Sequence, residues 1–83
     1  MFDFSSFVEL VFSIKDKALL EDFFLSVTTD KERKELLLRV EIVRRLLAGE
    51  PQIKIAKELG VGIATVTRGS KELSHGYFKA LRK

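Results

Sequence analysis

Residues 51–73 read PQIKIAKELGVGIATVTRGSKEL, and this segment says more about the architecture than any other part of the chain. Pro51 favours the start of a helix, where its missing N–H and fixed φ cost least. Gly60 permits a sharp turn, after which a second helix begins. The small Ala56 lets the two helices approach each other, and Val66 packs back into the angle between them. The segment therefore predicts a helix-turn-helix.

The second helix of this motif is predicted to present a polar surface rich in threonine and basic side chains. Threonine methyl groups and alanine can contact a thymine methyl group, and hydroxyl groups can bond bases or phosphates in the major groove. The alternative is a helical hairpin that only completes a core. We predict a DNA-binding surface formed by Gln52, Lys57, Ile63, Ala64, Thr65, Thr67 and Lys71.

The N-terminal part of the chain predicts two amphipathic helices. Apolar residues, many of them phenylalanine, recur at three- and four-residue spacing in residues 4–12, and again in residues 19–27 after the polar break at residues 15–17. The phenylalanines share apolar faces and have acidic neighbours. This pattern favours a core or a subunit interface over a platform for stacking nucleic-acid bases.

A third, longer helix is predicted between these helices and the helix-turn-helix. Thr28 and Thr29 precede acidic residues, which is typical of a helix N-terminus. The helix then runs to Ala48, and Gly49 follows in a position where a left-handed C-cap is common. Its apolar residues cover more than one face, too many for a helix that buries a single side. A helix shared by two subunits would explain the excess.

The composition limits how the chain can be stabilised. A monomer of 83 residues buries only about 60% of its unfolded surface on folding. No cysteine is present for disulfides or thiolate ligands, and the lone His75 has no cluster of carboxylates to complete a metal site. We therefore expect no metal and a homodimer, in which association supplies the missing burial.

The charge is distributed unevenly along the chain. Residues 1–35 carry 5 basic and 8 acidic side chains, whereas residues 36–83 carry 10 basic and 4 acidic ones. Such asymmetry favours a polyanionic partner, because lysine and arginine that neutralise phosphates release counterions. A solvated basic face with no partner is the alternative. No apolar stretch approaches the length of a membrane span and the N-terminus lacks the basic start of a signal peptide, so we expect a soluble, cytoplasmic protein with no membrane partner.

The string GIATVTRGS at residues 62–70 resembles the Trp repressor family, in which a very similar string forms the recognition helix and part of a ligand pocket. The resemblance continues through residues 39–50 and residues 29–33. It implies an all-α fold, an intertwined homodimer and binding to double-stranded operator DNA. It also implies that L-tryptophan binds as a corepressor between the central helix and the helix-turn-helix.

The resemblance implies five ligand-binding residues. Arg39 and Arg68 would flank the indole ring, and Arg68 would also hold the ligand carboxylate; guanidinium groups are suited to both roles. Gly69 would permit close backbone approach, and Thr29 of the other subunit would lie at the edge of the pocket. Glu72 stands where the family places a serine that contacts the ligand ammonium, so its carboxylate would either bind that ammonium or neutralise Arg68.

We expect one domain over residues 1–83, with dimerisation helices in residues 1–48, the helix-turn-helix in residues 51–73 and a short tail or helix in residues 74–83. Neutralisation of Arg68 by Glu72 would give a regulator that needs no ligand. A protein-interaction module on a helix-turn-helix scaffold would present an apolar or acidic second helix, unlike this one. An enzyme is not expected, because the sequence shows no paired carboxylates, nucleophile with a base, or phosphate-binding loop.

Overall fold

The computed structural model describes residues 1–82, and its regular structure over that range is entirely helical. This confirms the predicted all-α fold. The described chain separates into two compact units, one formed by residues 1–33 and the other beginning at residue 34. In chain order the helices are α1 (Phe4–Ser13), α2 (Lys17–Val27), α3 (Asp30–Leu47), α4 (Gln52–Leu59), α5 (Ile63–Ser74) and a short 3₁₀-helix (Lys79–Leu81).

The first unit is held together by helix caps and by aromatic contact. Asp3 caps α1 by accepting a hydrogen bond from the Ser6 amide at 2.8 Å, and Asp16 caps α2 by accepting one from the Ala18 amide at 2.7 Å. The rings of Phe7 on α1 and Phe23 on α2 lie 5.9 Å apart between centroids. No side chain of either helix is buried. This unit therefore has contacts but no enclosed core.

Thr29 is the residue that caps α3, as the sequence predicts. Its hydroxyl oxygen accepts a hydrogen bond from the Glu32 amide at 3.2 Å, and Glu32 Oε1 accepts one from the Thr29 amide at 2.8 Å. Hydrogen bonds with Thr29 lower the pKa of Glu32, and the bond with the Thr29 backbone has a larger effect than the bond with its side chain. This reciprocal arrangement is a capping box, which satisfies two amides at the helix N-terminus.

The second unit has a true hydrophobic core where α3 meets the two short helices. Each fully buried aliphatic side chain in such a core contributes about 1.5–3 kcal/mol through the hydrophobic effect. The predicted packing positions Ala56 and Val66 both lie in this cluster. Its buried members are Ile42, Ile55, Ala56 and Val66, and Leu38, Leu46, Leu59 and Val61 pack against them.

The turn between α4 and α5 has the conformation that the sequence predicts. Gly60 has φ of 68° and ψ of 34°, the left-handed region that costs glycine little and other residues more. The Val61 amide donates to the Ala56 carbonyl at 3.0 Å, which closes the end of α4. Pro51 is the N-cap of α4 and not its first helical residue, and Gly62 takes the same role for α5. The two helices are thus joined by a turn of only three residues, as a helix-turn-helix requires.

Arg45 joins the end of α3 to α4 through an ion-pair network. Its Nε and Nη2 atoms donate to Glu50 Oε1 at 2.9 Å and 2.6 Å, and Nη2 also donates to Glu58. The hydrogen bond to Glu50, and to a smaller extent the one to Glu58, raises the pKa of Arg45. The hydrogen bond from Arg45 in turn lowers the pKa of Glu50. Gly49, in the loop between α3 and α4, has φ of 87°, which confirms the predicted left-handed C-cap of α3.

The part of α3 in the second unit has two apolar faces, and only one of them is covered. Ile42 and Val43 are buried against the short helices. Leu37 on the other side is 70% exposed, and Leu36, Val40 and Leu47 are exposed with it. The predicted excess of apolar residues is therefore confirmed as an uncovered face.

Candidate functional site

A cleft of about 340 Å³ opens between α3 and α5, within the second unit. Its volume falls at the lower end of the range of small-molecule sites, which is roughly 300–1,000 Å³. Leu38, Ile42 and Val43 of α3 supply an apolar wall, and Ala64 and Thr65 from the first turn of α5 supply another. A cleft of this size and lining suits one small ligand with an apolar body.

The cleft brings together four of the five ligand-binding residues that the sequence predicts. Arg39 reaches it from α3, and Arg68, Gly69 and Glu72 reach it from α5. Thr29 belongs to the first unit, where its hydroxyl caps α3. Its expected place at the pocket of a partner subunit stays a prediction.

Gly69 allows α5 to pack closely against α3. A Cβ atom on Gly69 would lie 3.2 Å from Ile42 Cγ2, 3.6 Å from Leu46 Cδ1 and 3.7 Å from Val43 Cγ2. The first of these distances is tighter than normal packing permits without a shift of the neighbouring side chain. Close approach was predicted at this residue, and the groups that come close are the core side chains of α3.

The charged groups of the cleft are balanced and are partly paired. Arg68 Nε donates to Glu72 Oε1 at 3.2 Å, and the two side chains are 68% and 37% exposed. An ion pair this exposed contributes little to stability. Arg39 has no salt-bridge partner among residues 1–82. Glu35, from the turn of α3 before Arg39, supplies a second carboxylate.

The predicted DNA-binding residues fall into two groups. Five are exposed, namely Lys57 on α4 and Ile63, Ala64, Thr65 and Lys71 on α5. The remaining two are half-buried and contact each other, because Thr67 Oγ1 donates to Gln52 Oε1 at 2.8 Å. This bond holds the start of α4 against the middle of α5.

The first turn of α5 takes part in both surfaces. Ala64 and Thr65 belong to the predicted DNA-binding group, and they also line the cleft. A molecule in the cleft therefore contacts the same turn of helix that would approach the bases. Any ligand that changes the position of this turn changes the predicted DNA-binding surface with it.

The C-terminal segment folds back onto the end of α5. The Gly76 amide donates to the Leu73 carbonyl and the Tyr77 amide to the Glu72 carbonyl, both at 3.1 Å, which is a Schellman C-cap. Phe78 follows with φ of 62° and ψ of 36°, and its side chain lines the cleft. The predicted short tail or helix is thus a turn and a single 3₁₀-turn.

Most of each unit matches one known family. The family model described as Trp repressor protein matches residues 3–81. The chain belongs to the Trp repressor family. As a member it is a DNA-binding regulatory protein and not an enzyme. No solved structure matches the chain.

Several proteins named "Trp operon repressor homolog" are similar to this Trp repressor family member. The one from Vibrio campbellii is 46% identical over 72 residues, which cover 86% of this chain and 72% of that protein. The one from Photobacterium profundum is 43% identical over 77 residues, 88% of this chain and 75% of that protein. The one from Vibrio cholerae is 43% identical over 74 residues, which cover 84% of this chain and 72% of that protein.

Sequence reasoning missed several lining residues of the cleft, among them Glu35 and Phe78. Glu35 could have been found, because Glu35, Leu38, Arg39 and Ile42 follow the three- and four-residue spacing of one helix face. Phe78 gave no such signal. It comes after the end of α5, and its place in the cleft depends on a backbone conformation that phenylalanine rarely adopts.

The described residues 1–82 offer neither a metal site nor a membrane span. No group of histidine, aspartate and glutamate within this range is arranged to hold a metal ion. None of the helices there is long and apolar enough to cross a membrane.

Proposed function

We propose that this Trp repressor-type transcriptional repressor binds double-stranded operator DNA as a homodimer in the cytoplasm, with L-tryptophan as its corepressor. The observation that carries the proposal is the cleft between α3 and α5. It assembles Arg39, Arg68, Gly69 and Glu72, and its wall includes two residues of the predicted DNA-binding surface. Ligand binding and DNA binding therefore share the first turn of α5.

The cleft has groups suited to each part of L-tryptophan. The apolar wall formed by Leu38, Ile42 and Val43 accommodates the indole, and the guanidinium groups of Arg39 and Arg68 can stack on its faces. Arg68 binds the ligand carboxylate, and Glu72 binds the ammonium in place of the family's serine. To do so, Arg68 and Glu72 exchange their mutual ion pair for bonds to the zwitterion.

The shared turn of α5 provides the coupling between ligand and operator. A ligand that fits one setting of α5 favours the DNA-binding state by the same factor by which DNA favours the ligand, typically about 1–3 kcal/mol. The exposed Thr65 and Lys71 are the side chains that we expect to approach bases and phosphates. Two α5 helices related by a dimer axis then enter successive major grooves, about 34–36 Å apart, as in helix-turn-helix dimers in general, the Trp repressor among them.

Uncovered apolar surface in both units supports the homodimer. In the first unit Phe4 is 79% exposed and Phe12 78% exposed. In the second unit Leu37 is 70% exposed. Exposed apolar surface on this scale is rare on a monomeric protein and marks an interaction surface. A second copy of the chain covers both faces, with residues 1–48 forming the dimerisation helices of a single intertwined domain.

The ion pair between Arg68 and Glu72 favours a second candidate, a repressor of the same type that needs no ligand. In that case Glu72 satisfies Arg68 in the empty cleft, and α5 keeps its DNA-binding position without a corepressor. The two candidates differ only in whether L-tryptophan changes operator affinity.

Operator titrations separate them. We expect millimolar L-tryptophan to strengthen operator binding by the natural protein about 5–150-fold, the range of ordinary allosteric coupling. Equal affinity with and without L-tryptophan would refute corepression. The matched variant is Glu72→Ser: a ligand response that appears only in this variant would support the ligand-independent candidate and identify Glu72 as its cause.

A further inference from the structure

We propose that Phe78 is a specificity-determining residue of the cleft, which selects planar aromatic ligands by contact with its ring. The inference rests on the proposed function, because it concerns the same pocket and names how that pocket chooses its ligand class. Two independent observations carry it: the position of the ring and the conformation of the backbone that holds it.

Because Phe78 lines the cleft, a ligand that fills the cleft contacts this residue. Among the described residues that line the cleft, Phe78 is the only aromatic one. The cleft is small, about 340 Å³, so a ligand with an aromatic body lies close to every wall of it. Phe78 borders this open space, and we assign its ring as a wall of the site.

The backbone at Phe78 adopts a conformation that a phenylalanine does not choose by itself. Phe78 is the only non-glycine residue with positive φ among the described residues, with φ of 62°. Bulky residues are true outliers in this region, and they remain there only when the surrounding structure holds them. Such outliers cluster at binding sites, where the strained conformation positions a side chain.

Arg82 ties the segment around Phe78 to the end of α5. Its Nη2 atom donates to the Tyr77 carbonyl at 3.1 Å and also to the Leu73 carbonyl at the end of α5. The Leu81 amide donates to the Phe78 carbonyl at 3.1 Å and closes the turn on the other side. Arg82 thus acts as a positioning residue, which ties the segment carrying Phe78 to the helix that carries Arg68 and Glu72.

The chemistry of this wall selects an aromatic ligand over an aliphatic one. Aromatic rings attract one another in offset or edge-on contact, beyond the burial of their surface. Arg39 and Arg68 favour the same kind of ligand through their planar guanidinium groups. An aliphatic amino acid of similar size satisfies the charged groups of the cleft equally well but forgoes these ring contacts.

Two probes test the proposal by calorimetric titration of the full chain: L-tryptophan, and indole, which has the ring without the charged groups. We expect Phe78→Leu and Phe78→Gly to weaken the binding of both probes by about tenfold. Phe78→Gly also relieves the strained φ, so a loss in this variant arises from the missing ring and not from strain. The matched control is Tyr77→Ala, which removes an exposed neighbouring ring, 64% exposed, and should change affinity less than about twofold.

The ligand itself provides a readout that a purely structural role would not change. The chain contains no tryptophan, so indole fluorescence comes from the probe alone. We expect the emission of saturated complexes to move to longer wavelength in Phe78→Gly, because the bound ring loses an apolar wall. Arg82→Gln should shift it in the same direction by a smaller amount, and circular dichroism verifies that each variant is folded.

Three results would overturn the proposal. The first is equal affinity for both probes in the natural protein and the Phe78 variants. The second is tighter binding by the variants, which would make the ring a plug. The third is no binding of either probe by the natural protein. Phe78-dependent binding without any effect of L-tryptophan on operator affinity would support this inference and refute corepression, so the two proposals fail separately.

Discussion

The two units of this Trp repressor family member differ in how they bury their apolar residues. Every buried residue of the described chain, from Ile42 to Val66, belongs to the second unit. The first unit is rich in phenylalanine, yet it has no buried side chain in α1 or α2. The second unit therefore has a hydrophobic core of its own, whereas the apolar side chains of α1 and α2 in the first unit are not buried. We propose that association with a second copy completes the first unit.

The largest effect is expected where association is broken. Leu37→Glu places a charge on the uncovered face of α3, where Leu37 is 70% exposed within one chain. The change costs little in a single chain but buries an unpaired charge in a dimer, so we expect loss of the dimer and of operator binding. Sedimentation equilibrium measures whether the Leu37→Glu protein is a monomer or a dimer.

The matched control is Ile53→Glu, which alters an equally exposed apolar residue on α4, 76% exposed. This variant should sediment as a dimer. A Leu37→Glu protein that stays dimeric at micromolar concentration would show that the uncovered face of α3 is not the interface, and the contrast between the units would need another explanation.

The core of the second unit should give the next largest effect. Ile55 is fully buried, and Ile55→Ala leaves a cavity that should lower the free energy of unfolding by about 2–5 kcal/mol. Urea denaturation followed by circular dichroism measures it. Ile53→Ala, two residues away and exposed, should stay within about 0.5 kcal/mol of the natural protein. Equal losses in the two variants would contradict the assignment of the core.

A moderate effect is expected at the predicted DNA-binding surface, whose residues all belong to the second unit. Thr65→Ala together with Lys71→Ala removes two exposed side chains of α5, and operator binding should weaken by about 1–3 kcal/mol. Mobility-shift titration at fixed salt measures it. Lys17→Ala in the first unit is the control for charge alone. Unchanged binding in the double variant would show that α5 does not read the operator.

The smallest effect concerns the link between α3 and α4. The hydrogen bonds from Arg45 lower the pKa of Glu50 below its ordinary value of 4.5. A carboxylate whose pKa is lowered in the folded state stabilises it above the unfolded pKa, and that stabilisation is lost as the pH falls through the folded pKa. Glu50→Gln should therefore lower the urea midpoint at pH 7 and have progressively less effect below pH 4.5. A difference that does not change between pH 7 and pH 3 would rule out ionisation of Glu50 as its source.

The helices, their caps and the three-residue turn could be predicted because each depends on neighbours in the chain. Thr29 and Glu32 cap a helix that they themselves begin, and Gly60 adopts a conformation that its own lack of a side chain permits. The resemblance to the family, of which the string at residues 62–70 is one part, added four residues that the structure brings to one cleft. The helices, the cap of α3 and the turn are local, and the amino-acid pattern alone is sufficient to specify them.

The remaining features depend on distances between residues far apart in the chain. Gly69 packs against Ile42, and Thr67 donates its hydroxyl to Gln52, so that a predicted DNA-binding side chain also holds two helices together. Phe78 lines the cleft with a φ that phenylalanine disfavours, and Arg82 ties the preceding residue, Tyr77, to the end of α5. Local preference specifies the helices and the turn, whereas the walls of the cleft arise only when packing brings α3, α5 and the C-terminal segment together.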